Sequence, residues 1–179
     1  MIINTNWYVV AGPPCAGKTT LLSSLAALGY VVTPEFPRLL IDSETRKGRT
    51  TQEIRADEGE FQKRVFEMKV AIENKISPEQ ITFLDDGGIP ASIAYYQIAG
   101  LDPAPAIEES KKRRYQGIFF LEQLPYQKDY ARVEDEKTAH RLNQLLEQAY
   151  SGLGYNVMHV PARPVEERVK FILTKINKV

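Results

Sequence analysis

Cysteine is almost missing from this sequence. With Cys15 as its single thiol, the chain can form no intrachain disulfide and no cysteine zinc site; that thiol reads as a small side chain that its loop tolerates. An excess of either charge is missing too. The 23 basic side chains balance the 23 acidic ones, so no global field favours nucleic acid or an anionic membrane as the main partner. No apolar run approaches membrane-spanning length, and no basic stretch followed by an apolar core opens the chain. No membrane span is therefore expected, and the cytoplasm is the expected compartment. His140 and His159 lack metal-ligand spacing. What is present, 179 residues of which 43% are hydrophobic, suits one domain over 1–179 with a core that needs no staples.

That domain is organised around Gly12-Pro13-Pro14-Cys15-Ala16-Gly17-Lys18-Thr19, which fits the phosphate-loop pattern G-x-x-x-x-G-K-S/T at every fixed position. The flanks give the pattern its context. Trp7 to Ala11 is an unbroken apolar run, as in a strand buried on both faces. Leu21, Leu22, Leu25 and Leu28 then recur at helical spacing before Gly29. Backbone N–H groups of such a loop, with the unpaired N–H groups of a helix start, form a nest for phosphate oxygens. Gly12, Pro13, Pro14, Cys15, Ala16, Gly17, Lys18, Thr19 and Thr20 are the expected nucleotide-binding residues. Lys18 is expected at the β- and γ-phosphates and the Thr19 hydroxyl at Mg²⁺.

Further along, Tyr30 to Thr33 reads as a second strand closed by Pro34, followed by Glu35 and Arg38. In a parallel sheet the carboxyl ends of strands face the ligand crevice. Glu35 is thus a candidate general base or ligand of a metal-bound water, and Arg38 a candidate clamp for phosphate or acceptor; a surface ion pair beside a proline turn is the alternative. Residues 41–51 read as a polar connection and 53–75 as one long helix with Ile54, Phe61, Val65, Met68 and Ile72 on its apolar face. A third strand, 81–84, ends at Asp85-Asp86. Asp85 is the candidate for orienting the Mg²⁺ shell or taking the acceptor proton. Adjacent residues of an extended strand point to opposite sides, so both aspartates are not expected at one metal; Asp86 could instead cap the helix at 90–99. A second helix is expected over 106–115, strands at 117–121 and 156–160, and helices at 136–150 and from Pro164 onward. The polar segment 122–136 sits where phosphoryl-transfer enzymes commonly carry a closing segment, with Arg132 as its candidate catalytic cation and a solvated loop as the alternative.

The phosphate loop, P-E-x-x-R at 34–38, F-L-D-x-G at 83–87, I-A-Y-Y at 93–96, R-Y at 114–115 before F-F-L at 119–121, and G-Y-x-V-x-x-V-P-x-x-P-V-E-E-R-V-x-F-I-L at 154–173 together resemble one family. It is the AAA-like family of predicted ATPases, related to the kinase domain of bacterial nicotinamide-riboside kinases and to an insect GTP-binding, channel-trafficking protein. The resemblance implies a three-layer α/β P-loop fold with a five-stranded parallel sheet in 2-3-1-4-5 order and helices on both faces. It implies ATP or GTP with Mg²⁺ as ligands, held by Gly12, Gly17, Lys18 and Thr19, with Glu35, Arg38 and Asp85 in the strand-end motifs. The family usually follows that aspartate with arginine, where this chain has Asp86. Either another cation, such as Arg38, Arg114 or Arg132, compensates, or transfer is weakened. The expected function is a small-molecule, nucleoside-like kinase moving the γ-phosphoryl of Mg-ATP to an unidentified acceptor hydroxyl. The alternative is a nucleotide-dependent switch or slow NTPase read by a protein or lipid partner.

Overall fold

The computed structural model describes residues 2–13, 16–122 and 136–176, without the side chains of 136 and 137. In chain order the elements are β1 (Ile3–Asn4), β2 (Trp7–Ala11), α1 (Lys18–Ala27), β3 (Val31–Val32), α2 (Phe36–Thr45), α3 (Thr51–Ile54), α4 (Glu58–Glu73), β4 (Thr82–Leu84), α5 (Gly88–Ile98), α6 (Ala104–Ser110), β5 (Arg113–Arg114), β6 (Gly117–Leu121), α7 (Glu136–Gly152), β7 (Val157–Val160) and α8 (Val165–Ile176). The main sheet is parallel, in the order β3-β4-β2-β6-β7. Counting only its own strands, that is the 2-3-1-4-5 order expected. A short parallel ribbon of β1 with β5 lies outside the expected scheme.

The apolar strands split their side chains between two cores, as the two-residue period of a strand requires. Trp7, Val9 and Ala11 point to one face, with Leu84, Ile118 and Phe120, and are covered by Ala91 and Ala94 of α5 and Leu142, Leu145 and Leu146 of α7. Tyr8 and Val10 point to the other, with Phe83, Phe119 and Leu121, beneath Leu21, Leu22 and Leu25 of α1 and Val169 and Ile172 of α8. A third cluster, Phe36, Leu40, Ile41, Ile54, Phe61 and Val65, joins α2, α3 and α4 to one another.

Three expectations need correction. Residues 41–51 are not simply a connection: α2 runs to Thr45, because Pro37 fits a helix's first turn, where its missing N–H costs nothing, and Phe36, Leu40 and Ile41 form a buried stripe. The long helix of 53–75 is two helices. Thr50 and Glu53 form a reciprocal capping box that starts α3, and the Asp57 side chain accepts from Glu60 N–H to start α4. The helix of 106–115 ends at Ser110, and Arg113-Arg114 is strand. There Lys111 and Lys112 pair with Glu108 and Glu109 one turn back.

Charged side chains tie α4 to the sheet. On its stripe Phe61, Val65, Lys69 and Glu73, the last two turn polar while remaining buried. Glu73 accepts from Tyr115 Oη at 2.7 Å and from Ile89 N–H at 3.0 Å, with Arg113 Nη1 at 3.6 Å. Burial outweighs these partners and pushes its carboxyl from 4.5 up to about 7. Between those two values the native protein binds more proton than the unfolded chain, so this group's contribution to stability is full at low pH and is lost as pH rises through about 7. Urea unfolding of the native sequence and of Glu73→Gln, at about pH 5 and about pH 7.5, should therefore give a smaller loss of stability across that interval in the variant. Equal losses would show that Glu73 does not titrate there.

Candidate active site

The phosphate loop leaves β2 at its carboxyl end and enters α1. At Gly12 the chain passes against β6: φ is 144°, and a Cβ would sit 2.8 Å from the Leu121 carbonyl oxygen, so only glycine fits without moving the strand. Gly17, with φ of 80°, is the N-cap of α1 and offers no side chain to its first N–H groups. No acidic residue stands in the first turn of α1, so the positive end of the helix is left to an external anion. Lys18 Nζ donates to the Gly12 and Pro13 carbonyls at 3.0 and 3.1 Å. Its cation thus lies on the loop. Thr19 and Thr20 are exposed on the first turn. Pro14 and Cys15 lie outside the described residues, as do Arg132 and most of the segment 122–136.

Beside the loop opens a cleft of about 320 Å³ lined by Thr19, Glu35, Arg38, Asp42 and Asp85, with Leu22, Val32, Pro34 and Leu39 as its apolar wall. The sequence's candidates from three strand ends therefore meet in one place. Arg38 Nε donates to Glu35 Oε2 at 3.2 Å, an ion pair about three-quarters buried on each side. Asp85 is buried at the end of β4; its N–H donates to the Thr33 hydroxyl at 2.9 Å and its Oδ1 accepts from Asp86 N–H at 2.6 Å. Burial, then the Asp86 charge, raise its carboxyl from 3.8 to about 6, with Lys18 opposing them. At neutral pH it is a carboxylate all the same.

Asp86 takes a different side. With Asp86, Gly87 and Gly88 at φ of 56°, 75° and 62°, three successive residues adopt left-handed torsions. The turn carries Asp86 away from the cleft to a small space shared with Lys18 and Tyr95. There Lys69 of α4, fully buried, donates to the Asp86 carbonyl at 2.9 Å and places Nζ 3.0 Å from Oδ2. Oδ2 makes no hydrogen bond of good geometry, so the attraction is that of an ion pair. Asp86 does not cap α5, whose N-cap is Gly87. A side chain at 87 would collide with Tyr150, whose hydroxyl donates to the Gly87 carbonyl at 2.7 Å.

Lys69 thus supplies the cation that the aspartate at this position calls for, and sequence reasoning missed it. The signal was there: a lysine four residues after Val65 and four before Glu73, continuing the stripe of Phe61 and Val65, has to find a buried anion. Arg114 does not serve. It lies at the amino end of β6, donating to the Leu153 and Gly154 carbonyls and stacking on Tyr155. Arg168, the second missed residue, reaches under the phosphate loop from α8 and donates to the Ala16 carbonyl at 2.6 Å.

A family model described as AAA domain matches residues 7–168. The chain belongs to this AAA-domain family. Among curated proteins no similar sequence is found. Solved structures similar to this AAA-domain chain include deoxyadenosine kinase from M. mycoides with dCMP and dCDP bound, at TM-score 0.67 and 12% identity, covering 96% of this chain and 98% of that one. The NadR protein in complex with NAD and AMP-PNP is similar at TM-score 0.71 and 16% identity, covering 98% of this chain and 50% of that one. Shikimate kinase from Aquifex aeolicus is similar at TM-score 0.57 and 20% identity, with 96% of both chains covered. These likenesses establish the P-loop fold. Among the described residues no helix is long and apolar enough to cross a membrane.

Removing one member of the buried pair should be costly and removing both should not. Lys69→Met leaves Asp86 charged and unpaired and should lose about 3–5 kcal/mol of stability. Adding Asp86→Asn, which tolerates left-handed torsions, should recover most of it. Urea unfolding of the two variants checks this; no recovery would mean that Lys69 acts through packing alone.

Proposed function

We propose that this protein is a Mg²⁺-dependent P-loop kinase, transferring the γ-phosphoryl of ATP to a hydroxyl of a small, nucleoside-like acceptor. The observation that carries the reading is the cleft: a chamber next to the phosphate loop with hydroxyl, carboxylate and guanidinium groups on its wall. A simple hydrolase needs room for water only. The kinases among the similar structures, one named for deoxyadenosine and one for shikimate, support an acceptor of that size.

The residues present fit magnesium. Among the described residues no group of three or more His, Cys, Asp or Glu could cage a metal, but Mg²⁺ in phosphoryl-transfer sites needs only one or two protein oxygens, the rest coming from water and phosphate. Thr19 Oγ1 and Asp85 would hold it, and when bound it would neutralise charge on the polyphosphate. The loop amides and Lys18 position the donor. Glu35, oriented by Arg38, accepts the proton that the acceptor hydroxyl loses as its oxygen bonds to the γ-phosphorus and the bond from that phosphorus to the β,γ-bridging oxygen breaks, releasing ADP; the same carboxylate fixes that hydroxyl in line. Arg132, outside the described residues, remains the candidate cation for a closing segment. A nucleotide-dependent switch or slow NTPase is the alternative; an uncompensated charge at Asp86 would favour it, and Lys69 lies against that charge. No other observation favours it.

ADP formation by the purified protein, with and without a panel of nucleosides and other small alcohols, tests the proposal. A large rise with one acceptor and a phosphorylated product is expected; slow hydrolysis indifferent to every acceptor would sink it. Glu35→Gln should lower turnover roughly 10²–10⁴-fold with nucleotide affinity kept. Because Asp85 takes up its proton near pH 6, the Mg²⁺ concentration for half-maximal turnover should rise as pH falls through that value, and Asp85→Asn should abolish this pH dependence together with most of the activity.

A further inference from the structure

Arg168 is a charged side chain buried to 3% exposure, and it spends its donors on the main chain. Its guanidinium serves three main-chain carbonyls: Nη1 donates to Ala16 O at 2.6 Å, Nε to Pro161 O at 2.9 Å and Nη2 to Glu122 O at 3.4 Å. Those carbonyls belong to the phosphate loop, the end of β7 and the end of β6. Burial lowers its pKa from the ordinary arginine value, but a guanidinium keeps its charge in any protein environment.

The Ala16 contact matters most. In a planar trans peptide the carbonyl of one residue and the N–H of the next point in opposite directions, and among the described residues no peptide is cis. Pinning the Ala16 carbonyl down onto Arg168 therefore turns the Gly17 N–H the other way, toward the side on which α1 begins. Lys18 holds two further carbonyls of the loop, those of Gly12 and Pro13, but the residue after each is a proline with no N–H, so that hold fixes the loop's path and orients no donor. Without the hold of Arg168 the Ala16–Gly17 peptide is free to rotate, since Gly17 at φ of 80° is permissive.

We propose that Arg168 is a positioning residue of the phosphate-binding site: it locks the peptide between Ala16 and Gly17 so that the Gly17 N–H faces the polyphosphate, and it adds a buried positive charge beneath the loop. The inference rests on the nucleotide-site reading above and names a role for a side chain that reaches the loop from the last helix, α8. Its ligand is the polyphosphate moiety, whatever base or acceptor accompanies it.

The test uses the full chain, with binding of Mg-ATP and of inorganic tripolyphosphate measured by calorimetry and unfolding followed in parallel. Arg168→Ala, and Arg168→Lys should the alanine variant not fold, is expected to weaken both ligands by a similar factor, roughly 10- to 100-fold; the lysine variant, having charge but no fork, should fall between native and alanine. Lysine affinity equal to native or a lower melting temperature with both affinities unchanged would make Arg168 a staple for strand ends and overturn the proposal. A loss confined to ATP, with tripolyphosphate unaffected, would overturn it too, by placing the effect at the nucleoside end. Lys18→Ala separates the two readings: if it abolishes binding of both ligands while Arg168 variants bind normally, only the Arg168 proposal fails; if it leaves binding intact, the nucleotide-site reading fails first.

Discussion

A loop that turns its amide N–H groups toward an anion must dispose of the carbonyl groups on its other side, and in a buried setting it can do so only against donors. Here two cations are among those donors, beside the Ala16 N–H, which donates to the Pro13 carbonyl at 3.3 Å. Lys18 takes the carbonyls of Gly12 and Pro13, and Arg168 takes that of Ala16. The requirement reaches through the fold: Gly12 must lie against the Leu121 carbonyl for β2 and β6 to stay in register, and α8 must pack on α1 for Arg168 to arrive underneath. The loop's shape is thus a property of the central strands and the last helix together, rather than of eight residues acting alone.

The same logic governs the charges around Asp85 and Asp86. Two adjacent carboxylates beside a phosphate site would repel the ligand if both faced it. The left-handed turn at 86–88 sends Asp85 to the cleft and Asp86 to a separate space beside Gly12 and Lys18, where Lys69 lies against its charge. Burying that pair is not a source of great stability, because desolvating two ions offsets most of their attraction. Its consequence is directional: Lys69 fixes the turn, and the turn fixes where the Asp85 carboxylate stands. Glu73, one helical turn beyond Lys69, holds Ile89 N–H and so anchors the start of α5.

The strands, the phosphate loop and the meeting of Thr19, Glu35, Arg38 and Asp85 were legible in the sequence because each rests on local pattern, whereas the strand order followed only from the family resemblance. Unbroken apolar runs mark strands buried on both faces, and parallel topology places their carboxyl ends together. What escaped depends on contacts between distant segments. Arg168 looks like an ordinary surface cation until α8 is packed, the partner of Lys69 is not fixed until α4 meets the β4–α5 turn, and the small ribbon of Ile3-Asn4 with Arg113-Arg114 has too few residues to show a period. The boundaries of α2, α3 and α4 failed for another reason. Their signals, Pro37 in a first turn, Thr50 with Glu53 and Asp57 with Glu60, are one or two residues each and are easily outweighed by a long apolar periodicity that runs across them.

The three cores divide the site in a way that the motifs do not reveal. The phosphate loop belongs to the sheet, fastened by the clusters on both of its faces. Glu35 and Arg38 stand at the start of α2, whose apolar side packs with α3 and α4 in a cluster of its own. Asp85 ends a strand of the sheet, yet the turn after it is held by Lys69 of α4. The cleft therefore has one wall on α1 and the strand ends of the sheet and one on α2, and α4, which does not line it, touches both α2 and the turn after Asp85. A helix whose upper half packs on α2 through Phe61 and Val65, and whose lower half reaches the β4–α5 turn through Lys69 and Glu73, sets the distance between the two walls by its own rigidity.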